Sequence, residues 1–290
     1  MREIVIISGK GGTGKTSVTA SFARLAGHRS VVADCDVDAA DLHLLLAPDF
    51  GRPESFYSGQ TAQISREQCI RCNKCVKACR FDAIYRENED FIVDGIKCEG
   101  CAYCEKICPS QAIAMLDALS GETYISTTRL NTTMVHAELA IAAENSGKLV
   151  TRVKTLARNQ AREQKKDYLI VDGSPGIGCP VTASVTGADY VVVVTEPTLS
   201  GWHDLKRAWE LIAHFSLPTG VIINKADLNP EVTGRIKDFA AEKSMDLLAE
   251  IPYSKAFVEA MTRARTVVEY NTGLGRLIRQ AWDGVLSREE

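Results

Sequence analysis

An α/β fold, a doubly wound and mostly parallel sheet interrupted by a cysteine-rich insert, is what this sequence of 290 residues predicts. Three observations predict it. The apolar run Ile4–Ile7 leads through a glycine-rich loop into a stretch of helical character. Further short apolar runs recur along the chain and end in Asp or Asn, as buried parallel strands do where ligands gather. Between residues 69 and 108 the same cysteine spacing occurs twice.

The first element is the most informative. Ser8 to Thr16 reads SGKGGTGKT, between a four-residue apolar strand and the small, apolar stretch TSVTASFARLA. Strand, glycine loop and helix are the setting a phosphate-binding loop requires. Gly9, Gly11, Gly12 and Gly14 allow the backbone to curl so that N–H groups, Thr13 among them, point inward at phosphate oxygens. Lys15 is expected to reach the β- and γ-phosphates, and Thr16 to place its hydroxyl on Mg²⁺. Ser17 continues the binding segment at the positive end of the helix. The loop predicts a nucleoside triphosphate and Mg²⁺.

Lys10, directly after the first glycine, is a second cation that the general pattern does not require. KGGTGKT resembles the deviant Walker A loop of the MinD/ParA class of P-loop ATPases, which includes Mrp-type cluster carriers and the nitrogenase iron protein. The resemblance implies ATP hydrolysis and a homodimer when ATP is bound, with Lys10 reaching the partner protomer's nucleotide.

Composition narrows the setting. The net charge of −3 argues against a general nucleic-acid binder. No apolar run approaches the roughly 18 residues that span a bilayer, so no stable membrane anchor is expected. The first strand begins too early to leave room for a signal peptide, which points to the cytoplasm.

Ten cysteines are unusual there unless they hold metal. Cys69, Cys72, Cys75 and Cys79 read C-x₂-C-x₂-C-x₃-C, and Cys98, Cys101, Cys104 and Cys108 repeat it, followed by Pro109. Lys77 and Ala83-Ile84 recur as Lys106 and Ala112-Ile113. This is the run of bacterial two-cluster ferredoxins, in which the fourth cysteine of each repeat serves the other cluster. It predicts one [4Fe–4S] cluster on Cys69, Cys72, Cys75 and Cys108, and a second on Cys98, Cys101, Cys104 and Cys79. Arg80 stands where the first repeat lacks the usual proline. The spacing is not that of zinc knuckles.

The remaining elements follow in order. Ser30–Ala33 reads as a strand followed by an acidic cluster. Asp36 matches the MinD/ParA acid near Mg²⁺ and the attacking water; Asp38 suits either such a role or a helix N-cap, and Asp41 continues the segment. Cys35 reads as a buried thiol. The boundaries predicted are an ATPase formed by residues 1–60 and 117–290, with a two-[4Fe–4S] ferredoxin-like insert at 61–116. GETYISTT and TMVHAELAIA have strand composition, and residues 145–166 read as a long helix whose cations form a solvated face. Tyr168–Asp172 is a strand ending in the Walker B aspartate, Asp172.

From here the resemblance is close. DGSPGIGCPV, TEPTLSGWHDLKR and INKADLN together look like MinD-superfamily ATPases with an inserted ferredoxin domain, a family associated with the Orange-protein complex of sulfate reducers. It implies catalytic roles for Lys10, Lys15, Asp36 and Asp172. It places Asn224 at the adenine edge, Pro252 in a base-flanking loop, and His203 and Lys206 near a helix start, a surface role being the alternative. Asp227 resembles the guanine-reading acid of GTPases, so GTP is a second candidate. Cys179, in the loop after Asp172, reads as an inert thiol rather than a shared cluster ligand. The tail GLGRLIRQAWDGVL reads as a packed helix rather than a membrane-targeting one.

The leading functional expectation is an ATP-gated electron donor to an unidentified redox or metalloprotein, because eight cysteines in a ferredoxin cage suit electron transfer. Its alternatives are a metal-cofactor or iron–sulfur assembly ATPase of the Mrp type, and a MinD-like spatial regulator with redox-sensing clusters.

Overall fold

The structure is a computed structural model that describes residues 1–140 and 146–289. The chain opens with β1 (Arg2–Ser8) and α1 (Lys15–Ala26). β2 (Ser30–Asp34) ends on an aspartate, and α2 (Leu42–Leu46) buries Leu42, Leu45 and Leu46 at helical spacing. Next come β3 (Glu54–Ile64), α3 (Lys74–Ala78), β4 (Ile84–Glu87), β5 (Asp90–Val93) and α4 (Tyr103–Ile107). The two segments of strand composition are β6 (Ile113–Thr127) and β7 (Thr133–Leu139). α5 (Ser146–Glu163) is the long cationic helix; Asn145, its expected first residue, and Ile141–Ala142 of TMVHAELAIA lie outside the described residues. Then β8 (Tyr168–Pro175), α6 (Cys179–Val185), β9 (Tyr190–Thr195), α7 (Leu199–Ala213), β10 (Thr219–Asn224) and α8 (Pro230–Glu242) alternate. β11 (Asp246–Ile251), α9 (Ala256–Thr262), α10 (Val267–Tyr270) and α11 (Thr272–Leu286) close the chain.

The chain divides into two compact units: Met1–Glu54, Thr123–Glu138 and Ser146–Glu290 form one, Ser55–Glu122 and Leu139–Asn145 the other. In the first unit the strands order as β11-β10-β9-β1-β8-β2-β7. β1 pairs in parallel on both sides, with Ile4 opposite Ile170 and Tyr190. Both faces of β1, β8 and β9 are covered, so these strands are apolar runs rather than alternating ones. Parallel pairing also brings the strand ends at Ser8, Asp34 and Asn224 to the same side of the sheet as Asp172, which lies within β8, a strand that runs on to Pro175 beyond its expected end.

α11 packs as the tail pattern predicts. Trp282 is 5 % exposed, with its ring 5.2 Å from Phe22 and 5.3 Å from Tyr168. Among the described residues no helix is long and apolar enough to cross a membrane. One member of the predicted solvated face of α5 behaves otherwise. Lys154 is buried, 2.7 Å from Glu3, and donates to the Ser184 and Thr186 carbonyls. An ammonium under a sheet persists only with such partners.

In the second unit β6 neighbours β3, and β4 pairs antiparallel with β5. The sequence repeat reappears as two five-residue helices, α3 and α4, each ending at the fourth cysteine of its run. The expected two-[4Fe–4S] ferredoxin-like character of this insert is corrected here. Among the described residues no group of three or more His, Cys, Asp and Glu side chains is placed to hold a metal ion. Spacing along the chain sets where cysteines recur, whereas a cluster needs four sulfurs converging on one point, which spacing alone does not secure.

Candidate nucleotide site

The loop between β1 and α1 curls as its glycines allow. Gly12 and Gly14 have φ of 78° and 97°, and a Cβ on Gly14 would lie 2.5 Å from Asn224 Nδ2. Here glycine is required by conformation and by space. The loop forms one wall of a cavity of about 430 Å³, within the ordinary size for a small-molecule site. Gly11, Gly12, Thr13, Lys15, Thr16 and Ser17 line that wall.

Lys15 crosses the floor. Its Nζ lies 3.1 Å from both Asp36 Oδ2 and Asp172 Oδ1. Neither ion pair has hydrogen-bond geometry, so the buried ammonium is left without a hydrogen-bond acceptor, and the buried Thr13 Oγ1 has no partner either. Asp172 is fully buried and accepts from Thr16 Oγ1 at 2.8 Å and Thr19 Oγ1 at 2.7 Å. Asp34, one strand away, accepts from the Asp36 N–H at 3.1 Å while its other oxygen is buried and unpaired.

The electrostatics follow from this crowding. Burial works against the Lys15 ammonium, but Asp172, Asp36 and Asp34 outweigh it and raise its pKa. Burial, with the Asp172 charge added, pushes Asp34 well above the usual carboxylate range. Burial also raises Asp36, against the pull of Lys15. Two carboxylates, Asp36 and Asp172, each 3.1 Å from one ammonium leave the floor with excess negative charge, which a divalent cation offsets. The orphaned Lys15 and Thr13 donors want anionic oxygens. Both halves of Mg²⁺-nucleotide fit these residues: Lys15, Thr13 and the loop amides for phosphate, Thr16 with Asp172 and Asp36 for the metal.

Against the loop itself Asn224, at the end of β10, donates to the Thr13 carbonyl at 2.7 Å and accepts from the Lys225 N–H at 2.9 Å. Tyr253, Phe257, Val258 and Met261 form an apolar wall suited to a base; Pro252 adjoins this wall without lining it. Asp227 accepts from the Tyr253 N–H at 2.6 Å, tying down the loop. Lys10 does not line the cavity. Its Nζ lies 2.7 Å from Glu196 Oε1 and donates to Ser200 Oγ at 2.8 Å and Thr198 Oγ1 at 3.2 Å. Gly9 passes so close to α7 that a Cβ would lie 2.3 Å from Asp204 Cβ.

Residues 4–267 match the CobQ/CobB/MinD/ParA nucleotide binding domain. The chain belongs to this family. An uncharacterized protein of Methanocaldococcus jannaschii is 37% identical over 230 residues, covering 78% of this chain and 79% of that one. The fold is shared with MinD of Pyrococcus horikoshii, solved with Mg-ADP (TM-score 0.55, 21% identity, 97% of this chain and 94% of that chain). It is shared also with the MinC:MinD complex of Aquifex aeolicus (TM-score 0.56, 16% identity, 99% and 96%).

The protein is thus a MinD/ParA-type P-loop ATPase, as the loop predicted. The iron–sulfur part of the expectation does not stand beside it. Cys69, Cys72, Cys75 and Cys108 line one cavity of about 20 Å³, and Cys79, Cys98, Cys101 and Cys104 another of the same volume. All eight are free thiols, and none belongs to a group placed to hold metal among the described residues. The structure thus supports neither the two [4Fe–4S] clusters nor the electron-donor function built on them.

Other predicted residues fall outside the cavity of this ATPase. Cys35 is buried, its thiol pushed up by burial. Cys179 is exposed and begins α6 rather than lying in the loop. His203 and Lys206 sit on α7, where Lys206 Nζ lies 5.1 Å from the Trp202 ring centre. Asp34, Thr19, Glu196 and Lys225 escaped the sequence reading. Asp34 stood in plain view at the end of a predicted strand; the others act through contacts between distant segments.

Proposed function

We propose that this ATPase is a nucleotide-dependent switch of the MinD kind: two ATP-loaded copies associate, hydrolysis separates them, and a cytoplasmic partner docks on one state only. The observation that carries it is the buried Lys15 ammonium, without an acceptor and flanked by Asp36 and Asp172, beside a Lys10 stationed outside the cavity. On that reading residues 1–60 and 117–290 are the ATPase and 61–116 its insert, bounds that lie about six residues from the junctions of the compact units at Glu54 and Thr123.

In this reading Lys15 and the loop N–H groups hold the β- and γ-phosphates, and Thr16 and Asp172 hold Mg²⁺. Bound Mg²⁺ supplies charge compensation at the phosphates. Asp36 orients the attacking water. Asn224 steadies the loop from the base side, and Lys10 completes the site of the partner protomer. Analytical sedimentation with ATP tests the switch. The wild-type chain is expected to dimerise and Lys10→Ala to remain monomeric while still binding nucleotide; a Lys10→Ala dimer as tight as wild type removes Lys10 from the interface.

A second reading, an ATPase that delivers a metal cofactor as cargo to an apo-protein, is favoured by the eight free cysteines, none of which is buried. Anaerobic co-purification with and without ATP separates the two. An apo-metalloprotein retained in one nucleotide state supports delivery, and any other partner class supports the switch.

A further inference from the structure

Glu196, the residue after β9, carries neither a phosphate-binding nor a metal-binding role, yet two lysines from opposite sides of the loop meet on it. Its Oε1 lies 2.7 Å from Lys10 Nζ, and its Oε2 accepts from Lys225 Nζ at 2.6 Å. Lys225 also donates to the Gly12 carbonyl at 3.2 Å. Lys10 has oxygens of Glu196, Ser200 and Thr198 within 3.2 Å, one for each N–H of its ammonium. The carboxylate is largely buried, with a side chain 12% exposed against 30% and 28% for its two lysines. Burial alone would raise its pKa, but the hydrogen bonds from Lys10 and Lys225 hold it below the ordinary glutamate value.

The backbone around Glu196 is built to keep this arrangement. Its carbonyl accepts from the Thr198 N–H at 2.8 Å, and the Thr198 hydroxyl caps α7 by accepting from the Gly201 N–H at 3.0 Å. A Cβ on Gly201 would lie 2.4 Å from the Glu196 carbonyl oxygen. The Glu196 carboxylate and the Thr198 and Ser200 hydroxyls therefore come from one tight turn that presents a complete receptor for an ammonium.

We infer that Glu196 is a positioning residue, a two-lysine latch that stations Lys10 on its own protomer and Lys225 against the loop in the single chain. This rests on the switch reading, in which Lys10 must leave for the partner's nucleotide. Departure exchanges one ion pair and two hydrogen bonds, so the latch sets a threshold against association. It also links the base side of the cavity, through Lys225 and Gly12, to the lysine that senses the second copy.

Two measurements on the full chain test the latch. The first is amine labelling of nucleotide-free monomer, read residue by residue by mass spectrometry. Glu196→Gln, which keeps the shape and removes the charge, is expected to raise labelling at Lys10 and Lys225 several-fold and to leave buried Lys154 unchanged. Glu196→Asp, too short to reach both lysines, should fall between. Unchanged labelling at Lys10 and Lys225 in a folded Glu196→Gln overturns the latch. A uniform rise that includes Lys154 marks global loosening and equally overturns it.

The second is ATP-dependent association by sedimentation. Glu196→Gln should tighten the dimer about tenfold, the worth of one hydrogen bond to a charged group. That gain should vanish when Lys10→Ala is added. A dimer unchanged or weaker in Glu196→Gln refutes the threshold. A wild-type chain that stays monomeric with ATP instead refutes the switch reading and the threshold together, while labelling still decides whether Glu196 stations the two lysines.

Discussion

Lowering the pH from 7 to 5 should destabilise the first unit through one buried histidine. His136, on β7, is 3 % exposed, stacks on Tyr124 at 5.0 Å, meets Phe50 edge-on at 4.9 Å, and lies 2.9 Å from Ser126 Oγ. Burial, with the neighbouring His43 charge adding to it, lowers its pKa to about 4. In the unfolded chain the value returns to about 6.5. Between those values the unfolded chain holds the proton and the folded one does not. Stability is therefore complete above about pH 6.5 and declines as pH falls towards 4. A separation of that size costs about 2 kcal/mol between pH 7 and pH 5. Asp34 and Asp36, whose raised pKa values act in the opposite sense, are common to any His136 variant and cancel in a comparison. The assay is urea unfolding of wild type and His136→Gln at both pH values. The glutamine can still hydrogen-bond Ser126 but takes up no proton, so its loss should be smaller than that of wild type by about 2 kcal/mol. Equal losses in the two proteins would refute the assignment of the pH dependence to His136.

Lys15→Ala should abolish binding of a fluorescent nucleotide measured by anisotropy, because it removes the buried cation aimed at the phosphates; retained binding would shift that role to the loop amides alone. Asp36→Asn should bind nucleotide while hydrolysing ATP at least about tenfold more slowly in a phosphate-release assay, and normal turnover would exclude its role at the water. Trp282→Ala should cost about 3–5 kcal/mol in chemical unfolding, as large aromatic truncations in cores do. A loss under about 1 kcal/mol would mean that α11 is not part of the core that Phe22 and Tyr168 share with it.

Much of the ATPase was legible in the sequence because its signals are local. A strand, a glycine loop and a helix start occupy consecutive residues, and Gly12 and Gly14 adopt backbone angles that few other residues accept. Asp36 and Asp172 were legible for a related reason: parallel strands place their carboxyl ends together, so an acid near such an end falls at the site. The apolar period of the tail likewise determined a packed helix. Tertiary structure decided the rest. Lys154 looked like one cation among several on a solvated helix, and only the approach of Glu3 and α6 turned it into a buried pair. Glu196 joins Lys10 to Lys225 across separations of 186 and 29 residues. No spacing rule announces such a contact. The cysteine runs show the same limit from the other side. Their intervals predicted clusters, and each predicted set of four does line one small cavity, yet among the described residues no group of them is placed to hold a metal ion. Local backbone preference is written in neighbouring residues; convergence of side chains depends on how distant segments pack.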